Sequence, residues 1–327
     1  MIVAGIDEAG YGPLLGPLVV SAAAFRVNDP PAVTDPDAGE QLWRRLRRAV
    51  ARQGPVRDGK LIIADSKLVH RLADGLTHME RAVLTMCRLL PQWPATAPTL
   101  FQLLHLLGMP PESLPEQAWY AYTDGPLPLF CQADGTAVAA NLLRATMTAE
   151  NISLAALRTR VIDEGQFNRL LSATNNKAAV LTSATMNHLA QLHSQFSGEG
   201  LLAVVDKQSG RDRYVPLLLE ALPGMELKVL QEGRRASGYR LQDGARQTIV
   251  FFREKSEQTC LATALASMLC KYIREAMMHA FNRWWNDRVP GLKSTAGYYQ
   301  DGRRWLADVR GHLERLGVQT EDLVRAR

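Results

Sequence analysis

The chain has 327 residues, 46% of them hydrophobic and 22% charged, with a formal net charge of +5 and a pI near 9.1, enough to bury a sizeable core in one large domain or two smaller ones, with a basic bias that suits a polyanionic partner without selecting one. Cys87, Cys131, Cys260 and Cys270 form no CxxC pair, so reduced thiols are expected. No apolar run is long enough to span a bilayer and no secretory leader pattern precedes the first apolar run, which excludes a membrane-spanning reading and leads us to expect a cytoplasmic location.

The first predicted element is a buried strand, Ile2 to Ile6. It ends in two adjacent carboxylates, Asp7 and Glu8, followed by the turn Gly10-Tyr11-Gly12-Pro13. Acids are poor strand formers and costly to bury unpaired. A pair in this place points to a cation and to chemistry done by it; an acidic surface turn is the equal alternative at this stage. Asp65-Ser66-Lys67 follows, then helical spacing from about Leu68 to Leu90, with Leu72, Leu76, Met79, Val83, Met86 and Leu90 on one face. Prolines then break up a long stretch holding short helical pieces, Leu100 to Leu107 and Val138 to Met147. Roughly 92 to 151 reads as an added subdomain or elaborated loop. Trp119, Tyr120 and Tyr122 suit base stacking, but filling a small core is the favoured reading.

Leu154 to Ile162 reads as a strand, and Asp163 and Glu164 as an acidic pair opening a helix. Asn175, Asn176 and Lys177 read as a cap or exposed turn rather than a backbone contact. His188 and His193 lie five apart, the wrong spacing for two ligands on one helical face. Leu201 to Val205 is another apolar strand, ending in Asp206. The loop Lys207-Gln208-Ser209-Gly210-Arg211-Asp212-Arg213-Tyr214 has three bases that either meet phosphates or lie in a solvated loop. Tyr239 to Phe252 suggests a hairpin around Asp243-Gly244. Its second half, Ile249 to Phe252, leads through Arg253 and Glu254 to Lys255-Ser256-Glu257. Beyond lies the clearest helix, with a stripe from Leu261 through Leu265, Met268, Leu269, Tyr272, Ile273, Met277 and Phe281 to Trp284. Ala262, Ala264, Ala266 and Ser267 let it sit close to a sheet, and Trp284-Trp285 reads as core. Arg303, Arg304, Arg310, Arg315, Arg325 and Arg327 are either a nucleic-acid track or a solvated face.

Three apolar strands therefore each lead into a carboxylate. In open α/β sheets functional residues gather at strand ends. If these strands are neighbours, Asp7, Glu8, Asp206 and Glu257 converge. Four oxygen donors without a His or Cys cluster favour Mg²⁺ or Mn²⁺ over Zn²⁺.

The segment GIDEAGYGPLLGPLVVSA resembles the opening motif of the type 2 ribonucleases H, the ribonuclease HII and HIII family. In the same order, Asp65-Ser66-Lys67 resembles the family's DSK segment, and Val204-Val205-Asp206 its third-acid strand. Lys255-Ser256-Glu257 with Leu261 to Ser267 resembles its fourth acid and small-residue helix, and Ala296-Gly297-Tyr298 its KGY motif. The resemblance implies an α/β fold, a ribonuclease H-like mixed sheet flanked by helices. Residues 1–91 and 152–327 would form the catalytic domain and 92–151 an insertion. It implies two-metal cleavage of the RNA strand of RNA–DNA hybrids, or of ribonucleotide-containing DNA, leaving 5′-phosphate and 3′-hydroxyl ends. Asp7, Glu8, Asp206 and Glu257 would hold Mg²⁺ or Mn²⁺. Gly10, Tyr11, Gly12, Lys67 and Tyr298 would contact the substrate, whose 2′-OH tells RNA from DNA.

Two departures stand out. Ribonuclease HII usually has Gly-Arg-Gly where this chain has Gly10-Tyr11-Gly12, and tyrosine cannot make arginine's forked, charged contact. The family usually has Asp-Gly where this chain has Asp206-Lys207. The glutamate at 257 is more like ribonuclease HIII, the DEAG opening more like HII. A second reading is a nucleic-acid-binding relative that has lost or redirected catalysis, although a pure binder gains nothing from four acids facing phosphate. A dinucleotide enzyme using Gly10, Gly12 and Gly16 is a poor third, because Asp7 and Glu8 would repel a pyrophosphate.

Overall fold

A computed structural model describes residues 1–28, 38–54, 56, 59–121, 125–208 and 210–326. Tyr122, Ser209 and Arg327 lie outside the described residues. In chain order the elements are β1 (Ile2–Ala9), β2 (Leu18–Val27), α1 (Ala38–Arg45), β3 (Val50–Ala51), β4 (Leu61–Ile62), α2 (Ser66–His70), α3 (Gly75–Cys87), α4 (Leu100–Leu106), α5 (Ala118–Ala121) and α6 (Ala133–Ala149). There follow β5 (Ile152–Ile162), α7 (Glu164–Thr174), α8 (Lys177–Phe196), β6 (Leu201–Asp206), α9 (Val215–Ala221), β7 (Glu226–Gln231), β8 (Ala236–Asp243), β9 (Arg246–Arg253), α10 (Leu261–Arg288), α11 (Tyr299–Val309) and α12 (Thr320–Leu323).

Seven strands form one mixed sheet in the order β5-β2-β1-β6-β9-β8-β7. β1, β6 and β9 run parallel at its centre, and the β2, β5, β8 and β7 pairings are antiparallel. Parallel central strands are buried on both faces, which explains their unbroken apolar runs. Their side chains alternate between two cores: Val3, Leu202 and Val204 face one, Ile2, Ala4, Leu201 and Ala203 the other. α10 covers the first and α8 the second. This is the mixed α/β sheet flanked by helices that the sequence resemblance implies. Among the described residues no helix is long and apolar enough to cross a membrane.

α10 lies directly on β1. A Cβ on Gly5 would stand 2.0 Å from the Thr263 nitrogen, so only glycine admits this approach. The Thr263 hydroxyl then donates to the Val204 carbonyl at 2.9 Å, tying the start of α10 to β6 as well.

The helical pattern from 68 to 90 is two helices rather than one. The chain breaks between them at Asp74, which takes a left-handed φ of 57°. Gly75 returns so tightly that a Cβ there would meet the Val69 carbonyl at 2.5 Å, and Leu72 is left exposed. Between 92 and 151, Leu103, Leu104, Leu107, Trp119, Leu143 and Met147 join the same core as α10. Trp119 sits 5.9 Å edge-on from both Phe281 and Trp284. Trp119 and Tyr120 are thus core residues, as are His188 and His193, which pair with the Val20 carbonyl and the Thr248 hydroxyl.

Candidate metal and nucleic-acid site

β1 pairs with β6 in parallel up to Ile6 opposite Val205, and Asp206 pairs with Arg253 of β9. Asp7 and Asp206 therefore follow side by side at the same edge of the sheet. β1 runs on through Glu8 to Ala9. After β9, Lys255 takes a left-handed φ of 56°, and the short helical turn Ser256–Gln258 carries Glu257. One cavity of about 280 Å³ is lined by Asp7, Glu8, Asp206 and Glu257 together with Gly10, Tyr11, Gly12, Lys67 and Tyr298. Every site residue expected from sequence is in this one place.

Asp7, Glu8 and Asp206 can each present a ligand atom within 4.8 Å of the others. Glu257 stands outside that trio but shares the cavity. Burial, then repulsion by Glu8 and Asp206, raises Asp7 well above the ordinary carboxylate range. Burial and the Asp206 charge push Glu8 up to about 7, against a smaller opposing pull from Lys67. Glu257 is likewise pushed up to about 7, first by burial and then by Asp206. Burial also raises Asp206, offset by hydrogen bonds from Ser256. Carboxylates crowded in this way resist ionising together unless a cation joins them. An all-oxygen donor set of this kind fits a hard divalent ion.

Around the acids, Asp65 caps α2 by accepting the Lys67 N–H at 2.8 Å. Ser66 meets Ser267 of α10 hydroxyl to hydroxyl at 3.0 Å. The Tyr11 ring lies 5.1 Å beneath the Lys177 ammonium, so a cation does approach the Gly-Tyr-Gly turn, carried by α8. The turn is pinned from several sides. Gly297 accepts the Leu14 and Leu15 N–H groups, Leu14 accepts the Arg325 N–H, and Glu164 accepts the Gly16 N–H at 2.8 Å. Burial pushes Glu164 up to about 7.

Two basic groups have other roles than the sequence offered. Lys207 is buried and donates to the Asp212 carboxylate and to the Gly233 and Arg234 carbonyls, so it ties its own loop to the connection between β7 and β8. Arg325 is buried and donates to the Pro13 carbonyl, which removes it from any solvated arginine face. Sequence reasoning missed Lys271 and Arg274, which also line the cavity. With Ser267 they step by four and three along α10, a polar line beside the apolar stripe that helical spacing would have exposed.

The chain is similar to solved type 2 ribonucleases H. Ribonuclease HII of Archaeoglobus fulgidus, in a complex with PCNA, is 15% identical; the match covers 100% of this chain and 95% of that one, with a TM-score of 0.44. Bst-RNase HIII in complex with Mn²⁺ is 15% identical over 99% of this chain and 66% of that one, TM-score 0.45. Ribonuclease H2 of Pyrococcus horikoshii OT3 is 15% identical over 99% of this chain and 92% of that one, TM-score 0.40. No protein-family model and no curated protein matches the sequence. The chain resembles the type 2 ribonucleases H, and what defines its own fold is the strand order and register given above.

Proposed function

We propose that this chain is a metal-dependent endonuclease that cleaves the RNA strand of RNA–DNA hybrids, leaving 5′-phosphate and 3′-hydroxyl ends. The observation that carries this reading is the convergence of Asp7, Glu8, Asp206 and Glu257 on one cavity with the glycine turn, Lys67 and Tyr298. These four acids would hold Mg²⁺ or Mn²⁺. Bound there, such ions supply hydroxide at neutral pH and offset charge on the leaving oxygen. The chain's own groups do the rest. Gly10 and Gly12 let the nucleic-acid backbone come close beside the acids, where a 2′-OH is within reach. Lys67 offers a positive charge to a phosphate, and the exposed Tyr298 ring a face for a sugar. Residues 1–91 and 152–327 form the catalytic unit, with 92–151 packed on it as an elaboration. Because Tyr11 offers no charged fork, continuous hybrid is the preferred substrate over a lone ribonucleotide in DNA.

The test is cleavage of three end-labelled duplexes with Mg²⁺ and with Mn²⁺: hybrid, DNA holding one ribonucleotide, and plain DNA. Cutting of the hybrid by the native chain but not by Asp7→Asn supports the proposal. Equal cutting of the single-ribonucleotide duplex rejects the substrate preference. A folded protein that binds hybrid yet cuts nothing with either metal favours the non-catalytic binding relative.

A further inference from the structure

Arg274 is an arginine with almost no exposed surface, at 1%. Its Nη2 donates to the Leu15 carbonyl at 3.3 Å and to the Ala296 carbonyl at 2.9 Å. Those carbonyls belong to two separate segments whose residues Gly10 to Pro13 and Tyr298 line the acid cavity. Three glycines pack beside this side chain, each with one closer neighbour: the Pro17 carbonyl for Gly10, the Met278 sulfur for Gly16 and the Leu15 carbonyl for Gly297. A Cβ on Gly10 would stand 2.8 Å from the Arg274 Cδ and Nε, one on Gly16 3.2 Å from Nη2, and one on Gly297 3.3 Å from Nη2. All three glycines have φ near +80°: 84°, 85° and 79°. Both segments therefore lie against one guanidinium, whose Nη2 bonds to each. Yet Nε and Nη1 have no hydrogen-bond partner, and Nη1 is 3.8 Å from the Glu275 carboxylate. Buried unsatisfied donors are costly to stability, and an apolar side chain of similar volume would avoid that cost. The loose ion pair with Glu275 and the Tyr298 ring 5.6 Å from the guanidinium leave both donors without a hydrogen bond.

We propose that Arg274 is a positioning residue that joins the Gly10–Gly16 turn and the Ala296–Tyr298 segment into one rigid surface beside the acids. It acts through the Leu15 and Ala296 carbonyls that its Nη2 holds. It fixes where the backbone of a bound nucleic acid rests relative to them. The substrate part of this inference rests on the nuclease reading; the clamp itself does not.

The experiment compares the native chain with Arg274→Met, which keeps the volume and removes the charge. Hydrogen exchange is read at the Leu14 and Leu15 amides, which bond to the Gly297 carbonyl at 2.8 and 3.1 Å. Affinity is read separately for Mn²⁺ alone and for a fluorescent RNA–DNA hybrid. The clamp predicts Leu14 and Leu15 exchange at least about tenfold faster with the β1 and β6 amides unchanged. It predicts hybrid affinity at least about tenfold weaker and Mn²⁺ affinity within about twofold of native. Unchanged Leu14 and Leu15 protection overturns it, and so does Mn²⁺ affinity falling in step with hybrid affinity. If Arg274→Met fails to fold, Arg274→Lys, whose ammonium ends one bond short of the Nη2 position, is read the same way with the same outcomes deciding. If the native chain binds no hybrid, the nuclease reading fails while the exchange result still decides the clamp.

Discussion

Ser256 donates both its backbone N–H and its hydroxyl to one oxygen of Asp206, at 3.3 and 3.2 Å. The same short turn carries Glu257, so one serine sets the spacing between two of the four acids. Groups that orient metal-binding side chains commonly matter about tenfold to a hundredfold in affinity. Ser256→Ala should keep the fold and weaken Mn²⁺ binding by about tenfold, measured by calorimetric titration. Native affinity in that variant would remove Ser256 from the site.

The raised acids make a pH prediction whose sign is opposite to the usual one. Glu8 and Glu257 stand near 7 in the folded chain against 4.5 when free, and Asp7 is also raised. The folded protein thus holds protons that the unfolded chain has released, and stability is lost as pH rises from about 4.5 through 7. Glu164, outside the acid cluster, adds to the same trend. Without metal the melting temperature should be higher at pH 5 than at pH 8. Added Mn²⁺ should raise it at pH 8 and do little at pH 5, where protons compete for the ligands. A metal-free melting temperature that climbs between pH 5 and 8 would contradict the arrangement.

Asp7 lies between both forces. Asp7→Asn removes a buried charge that Glu8 and Asp206 repel. The variant should melt higher than native at pH 8 without metal. Under the nuclease reading it should also lose at least about a thousandfold in cleavage rate, since an oxygen ligand to the ions is gone. A gain in stability joined to a loss of activity is the signature of a functional site.

Two glycines separate packing from substrate contact. Gly5→Ala drives a Cβ into the backbone of α10 at 2.0 Å, and should cost about 3 kcal/mol or more in denaturant unfolding. At Gly12 a Cβ would meet nothing within 4 Å. Gly12→Ala should stay within about 0.5 kcal/mol of native while weakening hybrid binding, because its bulk falls only on a bound partner. Full hybrid affinity in Gly12→Ala would place the nucleic acid elsewhere.

Much of the architecture was legible because the central strands and α10 carry strong local signals. Ile2 to Ile6, Leu201 to Val205 and Ile249 to Phe252 are unbroken apolar runs, as strands buried on both faces must be. β7 carries no such signal: Val229 and Leu230 are exposed on an edge strand. The break before α3 turns on how closely Gly75 approaches Val69, a distance that periodicity does not encode. The acids that meet in the cavity were visible because each follows an apolar run. Lys207, Arg274 and Arg325 were not, because a basic side chain turned inward looks in sequence like one turned outward. Only the carbonyls that receive them, spread from Pro13 to Ala296, reveal the difference.

The parallel pairing of Ile2 with Leu201 joins the two central strands across most of the chain. Such a pairing closes a very long loop before any contact rewards it, which makes folding slow. During synthesis Asp7 and Glu8 emerge long before Asp206 and Glu257. The cluster cannot assemble on a nascent fragment, however well that fragment collapses. Under the nuclease reading, a fragment that stops short of residue 257 carries at most three of the four acids and cannot form the complete site.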